Sequence, residues 1–242
     1  MPKQDVGGNG SGGVKLGGPA RKRILTVLVF VFVWGGALFV SAGRWDWTRG
    51  WIYFGATLLN VGVSGVATLR KNPELIAARG SLHRKEMRTF DKVIMALYVP
   101  TSFVIPVVAG LDAVRFGWAP LPWKTLYAGL LLQLLSWAPI AWAMAVNPFL
   151  ETTVRIQSER GHRVVSTGPY RVVRHPMYVG AILTFAAGPL VLGSLWAYAP
   201  AGFAAVLFLF RTGLEDRTLR RELAGYEEYA QRTRYRLLPG VW

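Results

Sequence analysis

The sequence has no cysteine, only three histidines, and thirteen acidic residues against twenty-eight lysines and arginines. The first absence excludes disulfides, thiolate nucleophiles and thiolate metal sites. His83, His162 and His175 lie far apart, without paired-ligand spacing, so no metal centre is expected. Charge itself is scarce: 17% of residues are charged and 52% are hydrophobic, more apolar than an ordinary soluble domain. What the chain has instead is long uncharged runs. Ile24 to Gly43, Gly50 to Leu69, Val93 to Leu111, Thr125 to Leu150 and Met177 to Phe210 each approach or exceed the roughly 20 residues that cross a bilayer core. A polytopic, all-α membrane protein follows.

The last run is too long for one crossing. Its 34 residues as a single helix would reach roughly 50 Å against a hydrocarbon core of about 30 Å. "GPLVLGS", Gly188 to Ser194, supplies the break. The expectation is four spans plus a C-terminal helical hairpin within 177–210, its legs near Tyr178 to Leu190 and Leu195 to Phe210, each short.

A net charge of +15 raises nucleic acid as a partner. The basic residues cluster at span ends, however: Arg21 to Arg23, Arg70 to Lys92, Arg155 to Arg174, and from Arg211 onward. That is the positive-inside pattern, with both termini cytoplasmic, and anionic headgroups account for the charge. No nucleic-acid partner is expected. Residues 1–23, with seven glycines in the first twenty, read as a disordered basic tail rather than a cleaved signal peptide. Residues 24–146 read as membrane scaffold. Trp45, Trp47 and Trp51 read as interfacial anchors, and the loop 70–92 as solvated, with room for a short amphipathic helix.

Polar residues crowd into two blocks of the remaining region, 147–242. In the first, Asn147 to Tyr178, Gly168 and Pro169 form a turn, and Pro176 suits the first residue of a helix. Pro176 biases His175 toward an extended backbone and fixes it at the helix mouth, beside free first-turn N–H groups suited to an anionic or polarised ligand. Gly180 removes a side chain where a flat ligand could approach. The alternative for Arg171, Arg174 and Tyr178 is simple headgroup anchoring, and spacing leaves both readings open.

In the second block, Arg211 to Trp242, positions 215, 219, 222, 226 and 229 share a helical face. Glu215 is the acidic residue best placed to receive a positive charge; its alternative is an i,i+4 pair with Arg211. Tyr226, Tyr229 and Tyr235, each taken alone, read as packing against headgroups. Together the blocks offer carboxylates for an ammonium, arginines for a carboxylate and tyrosine faces for a cation. S-adenosylmethionine carries all three features, and methyl transfer from it needs positioning more than acid–base groups.

"GPYRVVRHPMYVGAIL" and, after the hairpin, "RTGLEDRTLRRELAGYEEYAQRTRYRLLP" resemble the integral-membrane isoprenylcysteine carboxyl methyltransferases and their relatives that extend to phospholipid N-methyltransferases. The matching residues are Arg174, His175, Pro176, Tyr178 and Gly180, then Glu215 and Asp216, Tyr226 and Tyr229, and Arg236 with Pro239. The resemblance implies S-adenosylmethionine at the cytoplasmic face, contacted by Tyr170, His175, Pro176, Tyr178, Gly180, Glu215 and Asp216. It implies Arg211 or Arg174 as the catalytic residue orienting a lipophilic acceptor, a prenylcysteine-like carboxylate or another lipid. The family's second acidic residue is usually glutamate; Asp216 is shorter, so its direct contact is the weaker expectation.

Two rival classes remain. Sterol-reductase-like membrane enzymes resemble the same C-terminal architecture and bind NADPH, for which Arg155, Arg160, Arg163 and Arg171 would supply phosphate contacts. Glu215 and Asp216 fit poorly beside phosphates. A non-enzymatic scaffold or transporter would be expected to carry polar groups within its spans, where Asn60 and Gln133 stand almost alone.

Overall fold

The computed structural model describes residues 18–80 and 86–242. The chain is helical, with no strand among the described residues. The helices are α1 (Gly18–Ala42), α2 (Thr48–Lys71), α3 (Pro73–Gly80), α4 (Thr89–Gly110), α5 (Lys124–Val146), α6 (Pro176–Leu192), α7 (Tyr198–Glu222) and α8 (Tyr226–Arg232). A wider helical turn, Leu111–Phe116, prolongs α4. Four helices, 18–42, 48–71, 89–116 and 124–146, are long and apolar enough to cross a membrane. The protein is an integral membrane protein.

The hairpin forms where the proline and glycines predict it. Gly193 ends α6 in the left-handed region at φ 78°, a conformation that costs a residue without Cβ little. Arg49, from the start of α2, fills the space beside it and donates to Val191 O at 2.8 Å, Leu190 O at 2.6 Å and Leu121 O at 2.9 Å. Asp112 accepts from Ser194 Oγ at 2.6 Å and from the amides of Ala119 and Trp196. This end of the molecule is thus closed by one buried arginine and one buried aspartate.

Several details differ from expectation. Gly18–Arg23, assigned to the tail, are the first turns of α1, while 1–17 lie outside the described residues. Trp45 and Trp51 are exposed as anchors should be, but Trp47 is buried in a core with Leu38, Phe39, Val191 and Leu192. The 70–92 loop carries α3, whose Leu75 and Ile76 are buried, so this segment packs rather than floats. His83 lies outside the described residues.

At the opposite end from Arg49, α1, α3, the start of α4, the end of α5, the 147–175 segment, the end of α7 and α8 converge. A second core there joins Ala143, Tyr170, Leu223, Tyr226, Tyr229 and Ala230. Burying aromatic rings from both polar blocks in one cluster fixes the blocks against each other.

Candidate functional site

Between these blocks lies a cavity whose empty space, open mouth included, is about 770 Å³. Tyr170, Arg174, His175, Pro176, Tyr178, Arg211 and Glu215 line it, with Glu151, His162, Arg163, Val164, Val165, Leu219 and Leu223. Gly180 and Asp216 do not.

Glu215 projects into the cavity from α7. It accepts a short hydrogen bond from the Tyr178 hydroxyl and, among the described residues, is in no ion pair. The i,i+4 pairing with Arg211 does not form, because Arg211 turns to Asp91: its Nε donates to Asp91 Oδ1 at 2.8 Å and its Nη2 to Thr152 O at 2.8 Å. The guanidinium stands 5.5 Å from the Tyr178 ring centroid. The cavity therefore presents one carboxylate without a cation of its own and one arginine held by a carboxylate behind it.

Asp216 has a different place. It is fully buried on the far side of the α7 turn and accepts from Arg174 Nε at 2.7 Å and Nη2 at 3.1 Å, Arg236 Nε at 2.9 Å, Arg220 Nε at 3.3 Å and Tyr226 Oη at 3.1 Å. Burial alone pushes a carboxyl upward, but hydrogen bonds from His175, Arg174 and Arg236 win and hold Asp216 far below the usual carboxylate range. Burial, reinforced by Asp216, pushes the Tyr226 phenol up, so it remains a donor. Asp216 is thus tied into the fold, and its expected contact with the cofactor is replaced by these donors.

Arg174 is corrected with it. Its Nε and Nη2 are spent on Asp216, and its Nη1 donates to Thr233 O and Arg234 O, each at 2.7 Å. Four of its five N–H donors are spent inside the fold, which ties Arg174 to structure. Both catalytic candidates line the cavity, and Arg211 is the one with fewer of its donors engaged.

Gly180 is also reassigned. A Cβ there would lie 2.4 Å from Ile140 Cγ1 and 2.5 Å from Ser136 O, so the missing side chain lets α6 approach α5 rather than a ligand. At the mouth of α6 the amides of Tyr178 and Val179 already donate to His175 O, at 3.0 and 3.3 Å, and are withdrawn from any ligand. His175 is held by its own amide on Arg236 O at 3.0 Å, and its ring stacks parallel to Tyr178 at 5.7 Å. Tyr170 accepts from Asn147 Nδ2 at 2.9 Å, and its carbonyl receives the Tyr229 hydroxyl at 2.8 Å.

Sequence reasoning missed Asp91, which holds both Arg211 and the Val154 amide (2.7 Å) from 120 and 63 positions away. A lone carboxylate in the first turn of an apolar helix was the available signal. It also missed His162, whose ring packs on Phe149 at 4.7 Å and whose Nδ1 accepts from the Gln157 amide at 3.3 Å. Burial, with Arg155 and Arg160 nearby, pulls His162 down to about 4. Its neutral ring forms part of the cavity wall.

No curated protein matches the chain. Residues 124–224, which span α5, the first polar block, the hairpin and the Arg211–Glu215 turn, match the family model described as phospholipid methyltransferase. In that segment, somewhat under half of its length, the chain is similar to the phospholipid methyltransferase family of membrane proteins.

Proposed function

We propose that the protein is an S-adenosylmethionine-dependent methyltransferase whose cofactor site is the cavity between the two polar blocks and whose acceptor is a lipophilic molecule reaching it from the bilayer. The similarity of residues 124–224 to the phospholipid methyltransferase family supports methyl transfer to a lipid. The observation that carries the cofactor is Glu215, a cavity carboxylate without a cationic partner among the described residues. Such a group is stabilised by an ammonium, and the apolar wall of Val164, Val165, Leu219 and Leu223 suits an aromatic base.

When bound, the cofactor would supply a sulfonium methyl group, transferred as the acceptor's lone pair forms the new bond and the carbon–sulfur pair returns to sulfur. Arg211, braced by Asp91, orients the acceptor. Tyr178 fixes the Glu215 carboxylate. In this reading the cavity end is cytoplasmic, as are both termini, residues 24–146 are scaffold, and 147–242 carry the chemistry.

NADPH fits these side chains less well. Arg155, the buried cation expected to meet a phosphate, is already bound to Glu151 at 2.9 Å and to Glu86 and Glu159 at 2.6 Å. Calorimetric titration of the detergent-purified protein with S-adenosylmethionine and, separately, NADPH tests the reading. Saturable binding of the first, lost in Glu215→Ala with helicity intact, is expected. Binding of NADPH alone, or unchanged binding by the variant, would overturn it.

A further inference from the structure

A second recess lies between α1, α2, α3 and α5. Its empty space, open mouth included, is about 1110 Å³, and Val27, Leu28, Val61, Leu69 and Ile140 give it apolar walls. Arg23 and Arg79 close one end. Arg79 is surrounded by protein yet reachable along the groove. Its Nε donates to Leu150 O at 2.7 Å, but its Nη1 and Nη2 face only the sulfurs of Met144 at 3.9 Å and Met177 at 3.5 Å. Thioethers are weak acceptors. Among the described residues neither arginine is in an ion pair, and burial together with Arg23 pulls the Arg79 guanidinium down to about 10.

Two guanidiniums sharing one half-enclosed space with no carboxylate are costly unless an anion answers them. Arg23 can reach toward the headgroups, but Arg79 is tied by Leu150 O and cannot withdraw. Among the described residues no acidic side chain lines the groove, so the ammonium of a zwitterionic headgroup finds no partner in that lining. We infer that this groove holds one anionic phospholipid of the bilayer, its phosphate between Arg23 and Arg79 and an acyl chain along α1, α2 and α5. The site shares no lining residue with the cofactor cavity, although Arg79 donates to Leu150 O and faces the sulfur of Met177, both of which line that cavity. It does not depend on the methyltransferase reading.

The test is native mass spectrometry of the full chain after incorporation in nanodiscs of equal phosphatidylglycerol and phosphatidylcholine. Retention of one phosphatidylglycerol per chain is expected, favoured roughly tenfold over phosphatidylcholine, whose phosphate is the same but whose ammonium the two arginines repel. Arg79→Gln should erase the preference and Arg79→Lys keep part of it. Gly65→Leu provides a second route, because Gly65 lines the groove and a Cβ there meets no atom within 4 Å; the leucine should obstruct the groove and weaken lipid retention with both arginines intact. Equal retention of the two lipids, or unchanged retention in Arg79→Gln and Gly65→Leu, would overturn the inference. Recovery of the bound lipid carrying an added methyl group would overturn its standing as a resident lipid and make it the acceptor.

Discussion

Arg174 and Asp216, 42 positions apart, meet through two hydrogen bonds of 2.7 and 3.1 Å with almost no side-chain surface exposed. The pair binds the first polar block to the end of α7, and Arg236 and Tyr226 add the C-terminal segment and α8. Everything lining one wall of the cavity is placed by it.

Asp216→Asn should therefore cost stability, not merely binding. Removing one partner of a buried pair costs about 3–5 kcal/mol, and here several donors lose their anion together. The thermal midpoint in detergent should fall sharply at pH 7. Because the folded carboxyl is held below its unfolded value, this contribution is complete above about pH 4 and is lost only as pH falls through the lower folded value. A variant as stable as wild type would refute the role.

Glu215→Gln should behave in the opposite way. The amide still accepts from Tyr178, so folding is kept, while an ammonium loses its charge partner. At about 1.5–3 kcal/mol for a charged hydrogen bond, affinity for S-adenosylmethionine should drop roughly 10- to 150-fold with the thermal midpoint unchanged, as titration and thermal unfolding on the same preparation would report.

Asp91→Asn separates positioning from binding. Arg211 remains, but the charge that holds its Nε is gone, and a displaced orienting group can cost about 100-fold in rate. Methyl transfer should show a lowered kcat with a cofactor Kd within a few-fold of wild type. A change in Kd alone would place Arg211 in cofactor binding instead.

His162 makes the cavity wall sensitive to pH. Its folded value of about 4 lies below the 6.5 usual for histidine, so the unfolded chain takes up the proton first and stability is lost as pH falls from about 6.5 toward about 4. Thermal midpoints across that range should decline, and His162→Gln should flatten the decline.

The spans and the hairpin break were legible because hydrophobic runs and a Pro–Gly interruption act locally. So was the grouping of His175, Tyr178 and Glu215 around one cavity, since the first two open α6 and Glu215 lies in the polar stretch of α7 beyond its apolar run. Which carboxylate faces the cavity was legible in part: Glu215 lines it, whereas Asp216 and Arg174 are absorbed by each other. Adjacent residues on a helix point about 100° apart, but sequence does not say which direction holds the partner. Gly180 carries the same lesson, since a missing side chain admits a ligand or a helix with equal ease and only Ile140 and Ser136 decide. Asp91 and Arg211 are joined across 120 residues, a distance at which no periodicity operates.

The far end of the hairpin has a consequence for the surrounding bilayer. α6 has 17 residues and so extends about 26 Å, short of a hydrocarbon core of about 30 Å. Its terminal carbonyls are taken by Arg49 and the amide of Trp196 by Asp112, so much of the turn's polarity is satisfied without water. It can lie below the headgroup level at little cost, with Trp118, Trp123 and Trp196 exposed around it. Differences in acyl-chain length are then absorbed by the depth of this turn, leaving the cavity at the other end in register with its own leaflet.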